Sequence, residues 1–453
     1  MISFRSLILL SFLILLLSSI TFALVCPFTM QSSDSQEEHL VFLKTSVLSI
    51  QSTMSDHHEL LTKCLGRRVE KFKSGQGIFD SCGNKEPDKN LITDYSTEGK
   101  FAIYSGFFDK KFVDNVLSKR SDVHFVEKVI KIKAHYAVNV NSTIIKKREA
   151  EKFKKTTTAT TTVNQNNLPY NLDRIDQKDF PLDGKYIFPT SAGSGVNVYV
   201  VDTGINIKNV EFEGRASFGG SFCVGCSSTD DNGHGTNVAG IIGGKKFGVA
   251  KKVNLIAIKI LDQKGQGTSI NVVAGLTFVI LQHTKSSNKN TVVNLSFGGA
   301  FSQAINQMIS LCSNAGIHVV VSAGDNTGDA CNVSPASAPQ AITVGATEKS
   351  TNNVITSTNT GSCVEIFAPG RDIIAAGAGR SNTLLSQASG TSQACPHVSG
   401  AVALIISKQG NMSPASMINQ LITLSTKNIL NEIKSPTPNR FLRIPSPVTK
   451  SDN

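Results

Sequence analysis

Beyond its first two dozen residues, this chain of 453 residues has no apolar run approaching the roughly 18–20 residues that span a bilayer. No stable membrane anchor is therefore expected. Cys223 and Cys226 form a CxxC pair, but no second pair follows at a zinc-binding spacing, which argues against a metal there. The formal net charge of +11 invites a nucleic-acid partner, yet Lys and Arg are spread along the chain. The densest basic patch, Lys146-Lys147-Arg148 with Lys152, Lys154 and Lys155, falls in a stretch that reads as a solvated linker, so no nucleic acid is expected. No segment repeats, which excludes a solenoid.

Hydrophobic residues make up 40% and charged residues 17%, a balance that buries a core instead of staying disordered. At about 150 residues per domain, the length allows two or three. Arg5 followed by the apolar stretch Leu7 to Leu17 and the small-residue positions at Thr21-Phe22-Ala23 predict a secretory signal over residues 1–23. A secreted, extracellular product follows. In an oxidising compartment the nine cysteines are candidate disulfides, and an odd total leaves at least one unpaired or joined to another chain.

The periodicity separates two structured regions. Val41 to Ile50 is apolar-periodic, Phe101–Tyr104 reads as a strand, Asp109 to Leu117 as a helix opened by an acid, and Val123 to Ile132 as a second strand. These belong to a small α+β module within residues 24–145. Residues 146–165 include KKTTTATTTV, a low-complexity run expected to be an exposed linker. From residue 166 to 453, strands and helices alternate: Val196 to Val201, His234 to Gly243, Asn254 to Ile260, Ser269 to Gln282, Thr291 to Leu295, Ser302 to Asn314, His318 to Ser322, Ala341 to Val344 and Ser392 to Ser407. Such alternation predicts an α/β domain, a parallel sheet with helices on both faces.

Three segments set a reactive side chain among glycines. Val198-Tyr-Val-Val-Asp202-Thr-Gly204 is an apolar strand ending in an acid, where open α/β sheets carry their sites. Asp230-Asp-Asn-Gly-His234-Gly-Thr-Asn-Val-Ala-Gly240 puts an imidazole at a helix start. Ser389-Gly-Thr-Ser392-Gln-Ala-Cys-Pro-His-Val-Ser-Gly400 opens a small-residue helix with a serine whose own N–H can point at an oxyanion. The order Asp, His, Ser is one of the three chain orders of the serine-nucleophile triad. An esterase of the α/β-hydrolase kind fails on that order and on the missing GxSxG turn at Ser392.

These motifs resemble those of the subtilisin-like proteases (subtilases), and specifically the proteinase K branch. The likeness runs from about Leu168 to Pro445 and includes Gly248-Val-Ala-Lys-Lys252, Lys259-Ile-Leu-Asp262, Asn294-Leu-Ser-Phe-Gly-Gly299, Ser334-Pro-Ala-Ser337 and Phe367-Ala-Pro-Gly370. It implies a monomeric serine endopeptidase acting on peptide or protein substrates, with Ser392 as nucleophile, His234 as base and Asp202 orienting the imidazole. It also implies that Ser296, Phe297 and Gly298 and Ser322, Ala323 and Gly324 line a channel that binds an extended peptide as an added strand. Small residues at Ala323 and Gly324 imply a roomy primary pocket, favouring apolar or aromatic side chains and broad specificity. The module around Tyr104-Ser-Gly-Phe107 and Val123-His-Phe-Val-Glu127 resembles the family's inhibitory propeptide, so the chain is expected to be a self-inhibited zymogen. The mature enzyme is then expected to begin between Ala137 and Asn167. A Cys331–Cys363 disulfide and a calcium site of Pro339, Ala341 and Glu365 follow from the resemblance alone, and Cys395 is expected to be a buried thiol.

The sequence departs from the family in three places. Asn237 stands for a second histidine and Gln393 for a methionine after the nucleophile. Asp325, with Ser392, occupies the oxyanion-hole position where the family has an asparagine. An ionised carboxylate has no hydrogen to donate there.

Overall fold

The computed structural model describes residues 36–44, 50–65, 68–71, 91–97, 101–134, 155–156, 162–166, 168–223 and 225–445. The expected signal segment lies outside these residues. The chain divides into two compact units, Met1–Phe72 with Pro87–Lys128, and Lys73–Glu86 with Val129–Asn453.

The first unit contains β1 (Glu37–Leu43), α1 (Ile50–Leu65), β2 (Arg68–Lys71), β3 (Leu91–Asp94), β4 (Ile103–Phe108), α2 (Lys110–Asn115) and β5 (Val123–Lys128). Its strands form one sheet in the order β2-β3-β4-β1-β5. Asp109 starts α2 as its N-cap, its carboxylate accepting Phe112 N–H at 2.8 Å. Val41, Leu61, Ile92, Tyr104, Phe108 and Phe112 make the core.

The second unit begins with β6 (Lys131–Ala134), β7 (Lys155–Thr156), β8 (Thr162–Asn166), α3 (Tyr170–Asp176), β9 (Lys185–Pro189), β10 (Asn197–Asp202), β11 (Ala216–Ser221) and α4 (His234–Gly243). It continues through β12 (Asn254–Lys259), β13 (Gln266–Thr268), α5 (Ser269–Lys285), β14 (Thr291–Leu295), β15 (Phe297–Ala300), α6 (Gln303–Asn314), β16 (His318–Ser322), β17 (Val333–Ser334) and β18 (Ile342–Thr347). The last elements are β19 (Ile366–Pro369), β20 (Ile373–Ala376), β21 (Leu385–Ala388), α7 (Thr391–Gln409), α8 (Pro414–Leu424), β22 (Thr426–Lys427) and β23 (Arg440–Phe441). Nine strands form the main sheet in the order β11-β12-β10-β14-β16-β18-β19-β23-β22. All pairings are parallel except β22 with β23 at the edge. The strands are buried on both faces and read as near-continuous apolar runs, such as HVVVS in β16. The order reverses between β10 and β14, and such a switch point opens a crevice at the strands' C-terminal ends. Asp202 is the last residue of β10.

Two sequence expectations change. The stretch Val123 to Ile132 is not one strand: β5 ends at Lys128 in the first unit, and β6 pairs within the second. The threonine run is not only linker, because β8 pairs antiparallel with β9 from Thr162↔Pro189 to Asn166↔Lys185, and β7 pairs with β8. β-branched threonines suit an added strand even where they supply no core.

Candidate active site

Asp202, His234 and Ser392 are each 0% exposed, Asp202 at the end of β10 and the other two in the first turns of their helices. His234 Nδ1 lies 2.8 Å and 2.9 Å from the two carboxylate oxygens of Asp202. Thr203 N–H donates to Asp202 Oδ1 at 2.6 Å, which fixes the carboxylate's plane. The helix carrying the imidazole can approach this closely because residue 235 is glycine. A Cβ there would run into Gly204 O and Asp202. Asp230 ties the two segments together, accepting Thr203 Oγ–H at 2.8 Å, Thr236 N–H at 2.9 Å and Thr236 Oγ–H at 2.6 Å. Beneath them the buried Lys259 amine donates to Thr203 O at 2.5 Å and to Asp231 at 2.8 Å. Burial alone would lower the pKa of His234, but the charge and hydrogen bond of Asp202, with Asp230 and Asp325 nearby, raise it above the usual histidine value.

Ser392 occupies the first turn of α7, after the N-cap Gly390 in a conformation (φ 138°) that disfavours a side chain. Pro396 lies inside this helix and has no N–H to offer the carbonyl four residues back, which is that of Ser392. Ser296 Oγ–H takes that place at 3.1 Å, and Ser392 Oγ–H donates in return to Ser296 O at 2.9 Å. The nucleophile is thus tied to the start of β15. Gln393 donates to Asn237 at 3.5 Å, and Asn237 donates to Ser386 Oγ at 3.0 Å. The two departures from the family motif therefore join each other between α4 and α7.

A second sheet runs in the order β13-β6-β15-β17, and the residue before β15 is Ser296, which holds the serine. β6 is one of its two inner strands, antiparallel to both neighbours: Lys133 and Ala134 pair with Gly298 and Phe297, and Ile132 pairs with Gly267. Glycine allows this approach at Gly299, where a Cβ would sit 2.8 Å from Lys131 O. Beside it opens a pocket of about 400 Å³. Gly298, Ser322, Ala323, Gly324 and Ala336 line it, with Asp325 and Lys133 as its charged groups. Asp325 faces the start of α7. Its Oδ1 accepts Thr391 N–H at 2.9 Å and its Oδ2 accepts Thr391 Oγ–H at 3.0 Å. Burial raises its pKa above the usual aspartate value, against the lowering pull of the Thr391 bonds, His234 and Arg371.

The channel residues expected from sequence thus come together, Phe297 and Gly298 in the ladder and Ser322, Ala323 and Gly324 in the pocket wall. Sequence reasoning missed β13 as the opposite wall. Its only signal was the glycine pair Gly265 and Gly267. Cys331 and Cys363 are joined, with Cα atoms 5.3 Å apart, and so are Cys223 and Cys226, at 5.6 Å. Cys395 and Cys312 are buried thiols. Glu365 is the one carboxylate of the expected calcium set, and its Oε2 accepts Thr343 N–H at 2.6 Å. A carboxylate with backbone carbonyls of Pro339 and Ala341 suits a hard, oxygen-seeking cation, with few protein ligands. Among the described residues no group of three or more His, Cys, Asp or Glu could hold a metal ion.

A family model described as the subtilase family matches residues 193–441, more than half of the chain. Subtilisin-like protease 8 of Arthroderma benhamiae is 33% identical over 435 residues, spanning 90% of this chain and 81% of that protein. Subtilisin-like serine protease Pen c 2 of Penicillium citrinum is 33% identical over 436 residues, spanning 91% and 88%. A solved cold adapted subtilisin-like serine proteinase superposes with a TM-score of 0.58 at 36% identity, covering 62% of this chain and 99% of its own. The match to the family model, the relatives along most of the chain, the buried Asp–His pair and the helix-opening serine lead to one conclusion: the chain belongs to the subtilase family of serine endopeptidases.

Proposed function

We propose that the chain is a secreted zymogen that cuts itself free of its N-terminal segment and then hydrolyses exposed peptide segments. Ser392 Oγ attacks the carbonyl carbon while His234 Nε2 takes its proton and later passes it to the leaving amine. Asp202 holds the imidazole by Nδ1 and stabilises its charged form. The observation that carries the zymogen reading is β6. A piece of the chain's own N-terminal region fills the cleft as a substrate strand would, paired on both edges. The described strand ends at Ala134, opposite Phe297, and the residue before Phe297 is Ser296, whose carbonyl holds Ser392. The proposed scissile bond is therefore His135–Tyr136. Both residues lie outside the described set. This is one residue ahead of the interval that linker composition suggests, because strand register and not exposure selects the bond.

Secretion is supported by the signal-like residues 1–23, and among the described residues no helix is long and apolar enough to cross a membrane. The small residues lining the pocket support a broad, apolar- or aromatic-accepting specificity. Calcium held by Pro339, Ala341 and Glu365 would brace the start of β18 and takes no part in the chemistry. The test is purification of wild type and Ser392→Ala precursors. Wild type should yield a new N-terminus at Tyr136 and lose activity on reaction with phenylmethylsulfonyl fluoride, while Ser392→Ala remains full length. Self-processing of purified Ser392→Ala would sink the reading.

A further inference from the structure

We propose that the Cys223–Cys226 disulfide is a positioning element for the catalytic Asp–His pair, and that a small dithiol turns the peptidase down by reducing it. The proposal rests on the reading of Ser392 as nucleophile and concerns how Asp202 and His234 are held for it.

The bridge lies between β11 and the segment that opens α4. The chain before it is fixed. Phe222 N–H donates to Lys259 O at 2.7 Å, Phe222 O accepts Asn271 Nδ2–H at 2.7 Å, and the buried ring packs on Phe278 with centroids 5.4 Å apart. The chain after it leads to Asp230, which is buried and accepts Asn232 N–H at 3.1 Å and Gly233 N–H at 2.8 Å besides its bonds to Thr203 and Thr236. Asn232 Oδ1 in turn accepts His234 N–H at 3.1 Å. Asp230 therefore sets both Thr203, whose N–H holds Asp202, and the start of the helix that carries His234. Between the two anchors Gly225, Ser227, Ser228 and Thr229 are exposed. Among the described residues of this span, Ser227 is held by its hydroxyl, which donates to Thr229 O at 3.1 Å and to Asp231 Oδ2 at 2.9 Å. Exposed contacts of this kind hold a segment weakly. With the bridge closed, the tether between fixed chain and Asp230 is residues 227–229; with it open, the tether begins at Cys223. A longer tether holds Asp230 less tightly, and small displacements of catalytic groups are costly in rate.

Two features suit this bridge to opening without loss of the fold. Cys223 and Cys226 are half-buried, so a reagent in solution reaches their sulfurs. Their sequence separation is 3, against 32 for Cys331–Cys363, and a short loop adds much less stability than a long one. In the exchange, a thiolate of the dithiol attacks Cys226 Sγ. The protein S–S bond breaks as the new one forms, and its electron pair leaves on Cys223 Sγ, which takes up a proton. Ser221 Oγ, 4.0 Å from Cys223 Sγ, can donate to that leaving thiolate. The second thiolate of the dithiol then attacks its own mixed-disulfide sulfur and releases Cys226 Sγ, which is also protonated. Two protein sulfurs are reduced and the dithiol becomes a cyclic disulfide.

The experiment follows processed wild type before and after dithiothreitol. Opened cysteines are mapped with iodoacetamide, and kcat is referred to the Ser392 titrated by phenylmethylsulfonyl fluoride. Cys223 and Cys226 should become alkylated and kcat should fall about fivefold or more. KM should stay within about twofold, because none of residues 222–231 lines the pocket or pairs in the sheet β13-β6-β15-β17. Oxidised dithiothreitol should restore kcat. Cys223→Ser/Cys226→Ser should start at the low kcat and ignore the reductant, whereas Cys331→Ser/Cys363→Ser should keep the full response. A bridge that stays closed, one that opens with kcat unchanged, or a loss that follows Cys331–Cys363 would each overturn the proposal. So would circular dichroism showing that reduced Ser392→Ala unfolds at the assay temperature, since the loss would then be one of fold. Failure of wild type to label at Ser392 would overturn the nucleophile assignment instead.

Discussion

Lys259→Met removes the amine that holds the Thr203 carbonyl while keeping most of the side-chain volume. Lys259 is 0% exposed and supplies two hydrogen bonds, to Thr203 O at 2.5 Å and to Asp231 Oδ1 at 2.8 Å. Breaking a fully buried ion pair from one side costs about 3–5 kcal/mol, because the remaining charge is stranded. Here the Asp231 side chain is 31% exposed and keeps a 2.9 Å bond from Ser227, so water and that hydroxyl recover part of the loss. The carbonyl of Thr203 loses a charged donor, worth about 1.5–3 kcal/mol. We expect a net loss of roughly 2–3 kcal/mol, or about 3–5 °C in Tm for a domain of this size. The assay is thermal unfolding in the Ser392→Ala background, where no proteolysis intrudes. Burial would raise the pKa of Asp231, but the bonds from Lys259 and Ser227 and the charge of Lys259 outweigh it and lower the pKa. A carboxylate lowered in the fold stabilises above its ordinary value and loses that contribution as pH falls through the folded value. The gap between variant and parent should therefore be full at pH 6 and narrow below about 3.8. In the active background kcat should fall about tenfold or more, since Thr203 aims the Asp202 carboxylate. A stability loss under ~1 kcal/mol, or one that does not narrow in acid, would refute the view that this amine braces the site.

Replacing both Cys331 and Cys363 by serine opens a loop with a sequence separation of 32, which the chain-entropy model values at ~3.5 kcal/mol. The double variant should lose that stability, and wild type treated with reductant should fall by a similar amount. At a hundredfold excess over its Kd, calcium should stabilise the fold by about 2.7 kcal/mol. Burial raises Glu365 to about 7. A neutral Glu365 therefore favours the calcium-free fold below its ordinary value of 4.5, a contribution lost as pH rises through about 7. The increment from calcium should thus grow from pH 5 to pH 8, and Glu365→Gln should abolish it. An unchanged Tm on chelation at pH 8 would remove the site.

The alternation of strand and helix was legible because buried parallel strands such as HVVVS and TVVNL permit almost nothing but apolar residues, and His234 to Gly243 carries its helix start in the glycine beside it. The reactive residues were legible for a related reason. Close backbone approach admits only glycine, so Asp202, His234 and Ser392 are each flanked by glycines at short spacing. Pairing partners were not legible. Nothing local in Lys131–Ala134 distinguishes it from the tail of the strand that precedes it. Only the register against Gly267 and Phe297–Gly299 puts it in the cleft. The threonine run was misread for the same reason, since an added strand draws its stability from the strands it joins, here Lys185–Pro189 on one side and Lys155–Thr156 on the other. The identity of Asp325 was plain in the sequence, but its role depends on what it faces. Only the tertiary structure brings its carboxyl to Thr391 and within the field of His234, two groups 66 and 91 positions away in the chain, where burial raises its pKa above the usual aspartate value.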